Sequence, residues 1–329
     1  MPSDETWPTR RASLHDLGAL ADVCRAAMGP DDYVLELLED LVLRQVVFVA
    51  LDDDAIVGMG AYRETPDDGA WVSAARTHPA YRRKGVAGAL LHAFEGLARN
   101  KGRRALRLWS ESSNGAGLAT AHAAGLEEVT RFARRVAPAT RRAVRPATAG
   151  LTDTGWGELE RSSFLAKGRG FVGHAGAFVR FTRPVAHLLA NTGSLVRWDG
   201  CAALLSESPT STSADVLEVS PLLGAPDQVL RDAAGLARAR GAASVEVFLP
   251  HDRDLLRAAD AAGLEPGSWG QEAVLCEKPL SVSTIVRRKR RTYAEINASK
   301  RSGYAALARL APGGHSHGAT GPHEDRWNR

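Results

Sequence analysis

Short pieces of sequence that occur twice constrain this 329-residue chain more than any other feature. Three fragments of the first half return in the second half in the same order, each between elements of the same kind. They are Thr9-Arg10-Arg11-Ala12, Gly96-Leu97-Ala98-Arg99 and Ala123-Ala124-Gly125-Leu126-Glu127, which return as Thr140-Arg141-Arg142-Ala143, Gly235-Leu236-Ala237-Arg238 and Ala261-Ala262-Gly263-Leu264-Glu265. A repeat on this scale predicts two copies of one structural unit. Two unrelated α/β domains of similar composition are the alternative interpretation.

The length agrees with two domains, because a single domain usually has roughly 150 residues. We place the first domain at residues 1–138, the second at residues 139–281 and a tail at residues 282–329. The tail is basic, with ten Lys and Arg against three Asp and Glu from Arg287 onward. A basic run followed by a Gly- and His-rich end predicts a flexible segment, with a short helix around residues 293–310.

Hydrophobic patterning in the first half alternates between strand and helix periods. We expect a short strand at residues 10–13, helices at 14–28 and from Asp31 to about residue 41, and a hairpin of strands 46–51 and 55–63. A third strand, a helix, a strand, a helix and a last strand then follow at 71–76, 86–100, 105–109, 114–124 and 127–136. The second half repeats this order, so the fold class is α/β, with each copy built on a mixed sheet flanked by helices.

Composition excludes several classes of protein. Hydrophobic residues make up 44% and charged residues 24% of the chain, which is ordinary for a globular protein. The most apolar stretch, residues 41–51, is interrupted by Arg44 and Gln45 and is far shorter than the ~20 residues of a membrane span. The polar residues 1–10 predict no secretory signal. Three scattered cysteines (Cys24, Cys201 and Cys276) argue against a disulfide framework or a zinc cluster and predict a cytoplasmic protein.

The segment from Arg82 to Ala89 has the properties of an anion-binding site. It follows a strand, carries Arg82, Arg83 and Lys84, and opens a helix with small residues. The first turn of a helix presents unpaired N–H groups and the positive end of the helix dipole, and small residues let a ligand approach the backbone. A pyrophosphate is therefore the expected guest. The Gly-x-x-x-x-Gly-Lys-[Ser/Thr] phosphate loop is absent from the chain, and this segment does not match the Gly-x-Gly-x-x-Gly pattern.

The segment His78-Pro79-Ala80-Tyr81-Arg82-Arg83-Lys84-Gly85-Val86-Ala87 resembles the acetyl-CoA pyrophosphate loop of the GNAT superfamily of N-acetyltransferases, whose pattern is [Arg/Gln]-x-x-Gly-x-[Gly/Ala]. The order of elements around the loop is also that of this family. The resemblance covers residues 9–137 well and the second half through topology and the repeat. It implies two tandem GNAT folds, each with a mixed, mostly antiparallel twisted sheet, and acetyl-CoA as co-substrate.

The resemblance also implies which residues hold the co-substrate. The pantetheine arm of acetyl-CoA lies in the family against the end of the strand before the loop, here Arg76 and Thr77, where that strand splays from the next. The cofactor-binding residues are then Arg76, Thr77, Arg82, Arg83, Lys84, Gly85, Val86, Ala87 and Gly88. Asn114 matches a polar residue that faces the pantetheine at the start of the following helix, and it is also an ordinary helix cap.

The catalytic residues of the family are harder to assign. Many members carry a tyrosine that protonates the leaving thiolate four residues before the glycine that ends this helix, and here that position is Ala121. Ser110, Ser112 or water could replace the tyrosine, whereas His122 points away around the helix. The strand before the loop has no acid to act as general base. Glu111 is our candidate for the base, with Glu64, Asp31 and Asp32 as rivals and a solvated charge as its alternative role.

The second copy has lost the basic loop. At an offset of 139 residues the loop becomes Pro221-Leu222-Leu223-Gly224-Ala225-Pro226-Asp227. Pro226 removes an N–H from the helix start, and Asp227 places a negative charge where a phosphate would lie. We expect no CoA binding there and a structural role for this copy, either completing the fold or walling the acceptor site of the first.

Two features of the tail have simple interpretations. His315, His317 and His323 could ligate a metal, but they lie in a Gly-rich segment without cysteines that is typical of a solvated tail, so no metal site is predicted. Residues 287–291 could bind nucleic acid or an acidic partner, but a solvated cap on the last domain is the commoner role of such a run.

These observations predict an N-acyltransferase that moves an acetyl or other short acyl group from CoA to an amine by direct attack in a ternary complex. One alternative is a CoA-binding regulatory or scaffolding protein without turnover. Another is a nucleic-acid-associated acetyltransferase that docks through the tail. The acceptor stays open among small amines, antibiotics, peptide N-termini and protein lysines. No membrane partner is expected, and the oligomeric state is not defined by the sequence.

Overall fold

A computed structural model describes residues 7–281 apart from residues 149, 152 and 208–214. The predicted basic tail, residues 282–329, with its three histidines, lies outside the described residues. None of the helices in the described part of the chain has the length and apolar character needed to span a membrane.

The described part of the first half contains six strands and four α-helices in the predicted order. They are β1 (Thr9–Arg11), α1 (Leu17–Met28), α2 (Val34–Arg44), β2 (Val46–Asp52), β3 (Ala55–Glu64), β4 (Gly69–Thr77), α3 (Val86–Asn100), β5 (Ala105–Glu111), α4 (Gly115–Ala123) and β6 (Glu127–Pro138). The sequence predicted that α2 starts at Asp31, but the N-cap position is Tyr33, and the carboxylate of Asp32 accepts the N–H of Val34 at 3.2 Å.

The second half repeats this plan with a different segment inserted. Its elements are β7 (Ala147–Thr148), α5 (Asp153–Glu160), α6 (Ser163–Lys167), β8 (Phe171–His174), β9 (Ala177–Arg180), α7 (Arg183–Asn191), β10 (Leu195–Trp198), β11 (Cys201–Glu207), β12 (Val216–Leu223), α8 (Pro226–Ala239), β13 (Ser244–Pro250), α9 (Arg253–Ala261), β14 (Glu265–Pro266) and β15 (Ala273–Pro279). The hairpin of β8 and β9 is a separate two-stranded sheet.

All other strands form one 13-stranded sheet that runs through both halves. Its order is β1-β2-β3-β4-β5-β15-β6-β13-β12-β11-β10-β7, with β14 paired to β6. Two pairs are parallel, β4 with β5 and β12 with β13, and the remaining pairs are antiparallel. The predicted fold class, a mixed and mostly antiparallel sheet flanked by helices, is confirmed.

The two halves exchange strands at the centre of this sheet. The last strand, β15, lies between β5 and β6 and pairs with both, with Ala273 opposite Glu111 on one side and Phe132 on the other. The second part of β6 in turn pairs with β13, with Pro138 opposite Ser244. A division of the chain at residue 138 does not anticipate this exchange, and the two-copy assignment stays a proposal.

Two of the three repeated fragments occupy matching places in the two halves. Residues 96–99 and 235–238 lie in α3 and α8, and residues 123–127 and 261–265 each join a helix to a strand. The third fragment does not match. Residues 9–11 form an edge strand on β2, whereas residues 140–143 lie against α8, since the N–H of Thr140 donates to the carbonyl of Ala234.

Glu218 is a buried acid of the second half whose pKa lies well above that of a solvated carboxylate. It is 1% exposed on β12, and one of its carboxylate oxygens accepts the N–H of Gly176 at the tip of the β8–β9 hairpin at 2.7 Å. The other oxygen has no hydrogen-bond partner among the residues that the structure describes. Burial, reinforced by the negative charge of Glu246, raises the pKa of Glu218 from 4.5 to about 7.

This pKa makes the free energy of unfolding depend on pH. The folded chain holds the Glu218 proton more tightly than the unfolded chain, so stability falls as pH rises from about 4.5 to about 7. Glu218→Gln cannot ionise, and its stability relative to wild type should increase between pH 5 and pH 8 by on the order of 2 to 3 kcal/mol. Urea titrations at the two pH values test this, with the exposed Glu207→Gln as control. Parallel pH profiles for Glu218→Gln and wild type would contradict it.

Candidate functional site

The predicted loop connects β4 to α3 and leaves its backbone donors unused. Gly85 begins the helix at φ +86°, a conformation that favours glycine, and Arg83 also has a positive φ of 62°. None of the N–H groups of residues 83–88 makes a well-formed hydrogen bond to another described residue. Consecutive unpaired N–H groups at a helix start suit a polyanion such as the pyrophosphate of CoA.

The three basic side chains of the loop have different surroundings. Arg82 turns away from the helix start and donates to the carbonyl of Ala27, near the end of α1, at 2.8 Å. The ammonium of Lys84 lies over the ring of Tyr81, with the nitrogen 5.2 Å from the ring centroid. Arg83 is exposed and makes no ion pair with a described residue. Neither Arg83 nor Lys84 therefore has a carboxylate partner among the described residues.

Trp7, which precedes β1, contacts the loop between β4 and α3. Its indole N–H donates to the carbonyl of Lys84 at 2.6 Å, and its ring meets Tyr81 edge to face, with the centroids 5.7 Å apart. The hydroxyl of Tyr81 in turn donates to Asp52 at 2.7 Å. These contacts turn the Lys84 carbonyl toward the indole and so leave the helix start to N–H groups. Nothing in the local sequence marks Trp7, which lies 77 residues from Lys84.

β4 and β5 separate beside the loop. They pair only from Gly69 with Ala105 to Trp71 with Arg107, and the later residues of the two strands are not paired with each other. β4 also contains a bulge opposite Met59 and Ala61, and its Ala74 has a φ of 53°. A bulge bends its strand locally, so the end of β4 turns away from β5. The gap opens where the sequence placed the pantetheine arm.

Arg76 and Thr77, predicted to contact the co-substrate, lie at the end of β4 beside this gap. The Arg76 side chain is committed to Asp32, with two charge-assisted hydrogen bonds of 2.6 and 2.7 Å, and the Asp32 carboxylate is almost fully buried. Asp32 is therefore engaged and is a poor general base. Glu64, the second rival, pairs with Lys101 and Arg103 at the opposite end of β3 and lies outside the site.

Polar side chains lie where β5 ends and α4 begins, on the side of the gap that faces α3 and α4. Asn114 caps α4, since its side-chain oxygen accepts the N–H of Gly117 at 3.1 Å, and its amide group donates to the Ser110 hydroxyl at 3.0 Å. Ala121 is fully buried in α4 and packs with Val274 and Cys276 of β15. This position of the helix therefore supplies no hydroxyl to a leaving thiolate. His122 is exposed, as predicted.

Glu111, the candidate general base, ends β5 and contacts a loop of the second half. One of its carboxylate oxygens accepts the N–H of Gly270. The other oxygen has no partner among the described residues. Glu111 thus holds residues 267–272 beside the gap, and a role as base stays a prediction.

The cysteines offer no nucleophile to the site. Burial, with a further contribution from Asp32, raises the pKa of the Cys24 thiol to about 11, and its sulfur lies 3.6 Å from that of Met59. Cys24, Cys201 and Cys276 are all buried and unpaired. Within the part of the chain that the structure describes, no cluster of His, Cys, Asp and Glu could hold a metal ion.

The corresponding region of the second half has no room for the loop. Residues 221–223, which the sequence placed in the loop, belong to β12, and residues 224–225 alone join β12 to α8, whereas residues 78–85 join β4 to α3. Gly224, at φ +117°, is pressed against β11 so closely that a Cβ would lie 2.6 Å from the sulfur of Cys201. This geometry supports the expectation that the second half binds no CoA.

The contact of Trp7 with the loop leads to a prediction. Trp7→Phe keeps an aromatic ring but loses the N–H, and a hydrogen bond of this kind contributes about 0.5–1.5 kcal/mol. The loop should therefore open more often, and trypsin should cut at Arg82, Arg83 or Lys84 about 2- to 12-fold faster. Mass spectrometry of the fragments measures this, with Trp156→Phe in the second half as the matched control. An unchanged cleavage rate in Trp7→Phe would show that the indole does not hold the loop.

Comparison with known proteins agrees with these observations. Residues 15–125 match the model of the acetyltransferase (GNAT) family, so the first half of the chain carries a domain of this family. No curated protein sequence matches the chain significantly.

Solved structures extend the likeness to both halves. A GCN5-related N-acetyltransferase from Sphaerobacter thermophilus aligns with 85% of this chain and 99% of its own, at a TM-score of 0.55 and 17% identity. Proposed acetyltransferases from Pyrococcus horikoshii and Thermoplasma acidophilum each align with 84% of this chain, and with 91% and 93% of their own, at a TM-score of 0.52 and 14% identity. At these identities the likeness concerns the fold.

Proposed function

We propose, from the premise that residues 15–125 form a GNAT acetyltransferase domain, that the first half transfers an acetyl or other short acyl group from CoA to an amine. The observation that carries the proposal is the row of N–H groups at residues 83–88 that make no well-formed hydrogen bond within the described chain, placed beside the gap between β4 and β5. A pyrophosphate on these groups would direct the pantetheine arm into the gap. The buried, unpaired cysteines agree with a cytoplasmic location.

The reaction is a direct attack in a ternary complex. The amine nitrogen attacks the thioester carbonyl, the new C–N bond replaces the C–S bond, and the thiolate leaves with the electron pair. A backbone N–H near Thr77, at the end of β4, polarises the carbonyl oxygen. The high pKa of the Cys24 thiol supports direct attack over an acyl-enzyme.

The reaction needs two proton transfers, one from the amine and one to the leaving thiolate. Glu111, through the carboxylate oxygen that does not bind Gly270, takes the amine proton directly or through one water. Water or Ser110 protonates the thiolate, because Ala121 replaces a hydroxyl-bearing residue. A thiol with a pKa of about 8.5 leaves without a strong acid.

An assay of CoA thiol release from acetyl-CoA with a panel of primary amines tests the function. We expect amine-dependent thiol release together with N-acetylated product. The buried Ala121 favours a second candidate, a CoA-binding regulatory protein. Binding of acetyl-CoA without turnover of any amine would support that candidate and contradict ours.

The role of Glu111 has its own test. Glu111→Gln keeps an oxygen for the Gly270 N–H but cannot take a proton, so kcat at pH 7 should fall at least about tenfold while KM for acetyl-CoA stays within twofold. The loss should shrink at high pH, where more of the amine is already deprotonated. Glu272→Gln, in the loop that Glu111 holds, is the control. An equal effect of the two variants, independent of pH, would assign Glu111 a purely structural role.

A further inference from the structure

The side of the gap away from α3 and α4 carries an aromatic surface built from both halves of the chain. Trp109 of β5 stacks on Trp269, with the ring centroids 5.8 Å apart and the planes 15° from parallel. Both side chains are partly exposed, whereas the aromatic residues behind them, Phe178, Phe248 and Trp71, are buried. We call Trp109 and Trp269 the tryptophan pair.

Alternation along β5 places the tryptophan pair on the face away from α3 and α4. Leu106 and Leu108 pack against the helices α3 and α4, so Arg107, Trp109 and Glu111 point to the opposite face of the sheet. Arg107 is opposite Trp71 at the last paired position of β4 and β5. Trp109 is therefore the first residue of this face beyond the point where the strands part.

The loop that supplies Trp269 is held rigidly. The Gly270 carbonyl accepts the N–H of Arg134 at 2.6 Å, and the Gly267 N–H donates to the carbonyl of Arg134 at 3.1 Å. Glu111 binds the N–H of Gly270, and the Ser112 N–H donates to the carbonyl of Glu272 at 2.9 Å. A side chain fixed in this way binds a flat ligand with little loss of conformational entropy.

The charges beside this surface are already neutralised. The Arg134 guanidinium lies 4.0 Å from the centroid of the Trp269 ring, but Glu246 pairs with it in a buried contact. Across the gap, Arg76 lies over the Tyr33 ring at 5.5 Å and is paired with Asp32. Tyr33, at 45% exposed, adds further apolar surface there. A carboxylate on the acceptor would find no uncommitted cation among these groups.

We propose that the tryptophan pair is a specificity site for the acceptor, and that the acceptor is an amine carried on a flat aromatic group without a carboxylate. The proposal rests on the transfer function given above and deepens it. The amine nitrogen reaches the thioester through the gap, and the aromatic group stacks on Trp109, whose ring Trp269 holds in place from the other side. The aromatic group should bind more tightly than a saturated ring of equal size. The two rings bury similar areas, so the difference in affinity comes from ring stacking.

Calorimetric titration of amines into the full chain saturated with CoA tests the proposal. The probes are 2-phenylethylamine and 2-cyclohexylethylamine, which place the amine identically and differ in the flatness of the ring, and phenylalanine, which adds a carboxylate. We expect 2-phenylethylamine to bind about three- to tenfold more tightly than 2-cyclohexylethylamine. Phenylalanine should bind more weakly than both.

Two variants connect this preference to the tryptophan pair. Trp269→Leu and Trp109→Leu each keep an apolar side chain but remove a ring, and should abolish the preference for the flat amine with CoA affinity unchanged. Trp156→Leu, on α5, is the control and should keep the preference. Equal affinity of the two amines for the wild-type chain, no binding of either, or a preference that survives both variants would overturn the proposal. Failure of CoA itself to bind would instead contradict the transfer function.

Discussion

The structure depends on the hydrogen bonding of β15, the last described strand, between β5 and β6. Its residues 273–279 pair with β5 along the whole length of that strand, and residues 273–277 pair with β6. Val274, Leu275 and Cys276 are buried within the resulting sheet. Removal of β15 would expose the edges of two central strands and three apolar side chains, so neither half has a complete sheet without the other.

This exchange of strands also explains why the first half has an open gap and the second half does not. β5 is fully paired on its β15 side, while on its β4 side the pairing ends at Trp71 and Arg107. The first half can therefore keep an open gap beside its loop without losing the sheet. In the second half, residues 224–225 are pressed against β11 and the β8–β9 hairpin covers the sheet, since Gly173 lies against Ser220 and Phe248. The first half thus holds the open site, and the second half is closely packed and completes the sheet beside it.

Local sequence patterns predicted much of the fold because they report local physics. The period of the apolar residues gave α3 its exact bounds, residues 86–100, and the turn at residues 52–54 defined the β2–β3 hairpin to within one residue. The repeated fragments indicated two similar halves, although the match at residues 140–143 has no structural counterpart to residues 9–12. That fragment is short, and its arginines reflect the composition of the chain.

The contacts that complete the site could not be predicted in the same way, because they join residues far apart in the sequence. Gly270 binds Glu111 across 159 positions and Trp7 binds Lys84 across 77. The ion pair of Asp32 with Arg76, which removes one candidate base, spans 44 positions. The place of β15 depends on which unpaired edges remain after both halves have folded, and no local pattern contains that information.

The central claim is that the start of α3 binds the phosphates of CoA and that the second half does not. Gly88 and Gly96 both lie in α3, and a Cβ at either position would meet nothing within 4 Å. Gly88→Asp therefore places a carboxylate in the first turn without a steric clash, and Gly96→Asp places the same charge two turns away. Calorimetric titration with acetyl-CoA should give one site per chain in wild type and Gly96→Asp, and at least tenfold weaker binding in Gly88→Asp. Two sites per chain, or equal affinity in all three proteins, would contradict the account.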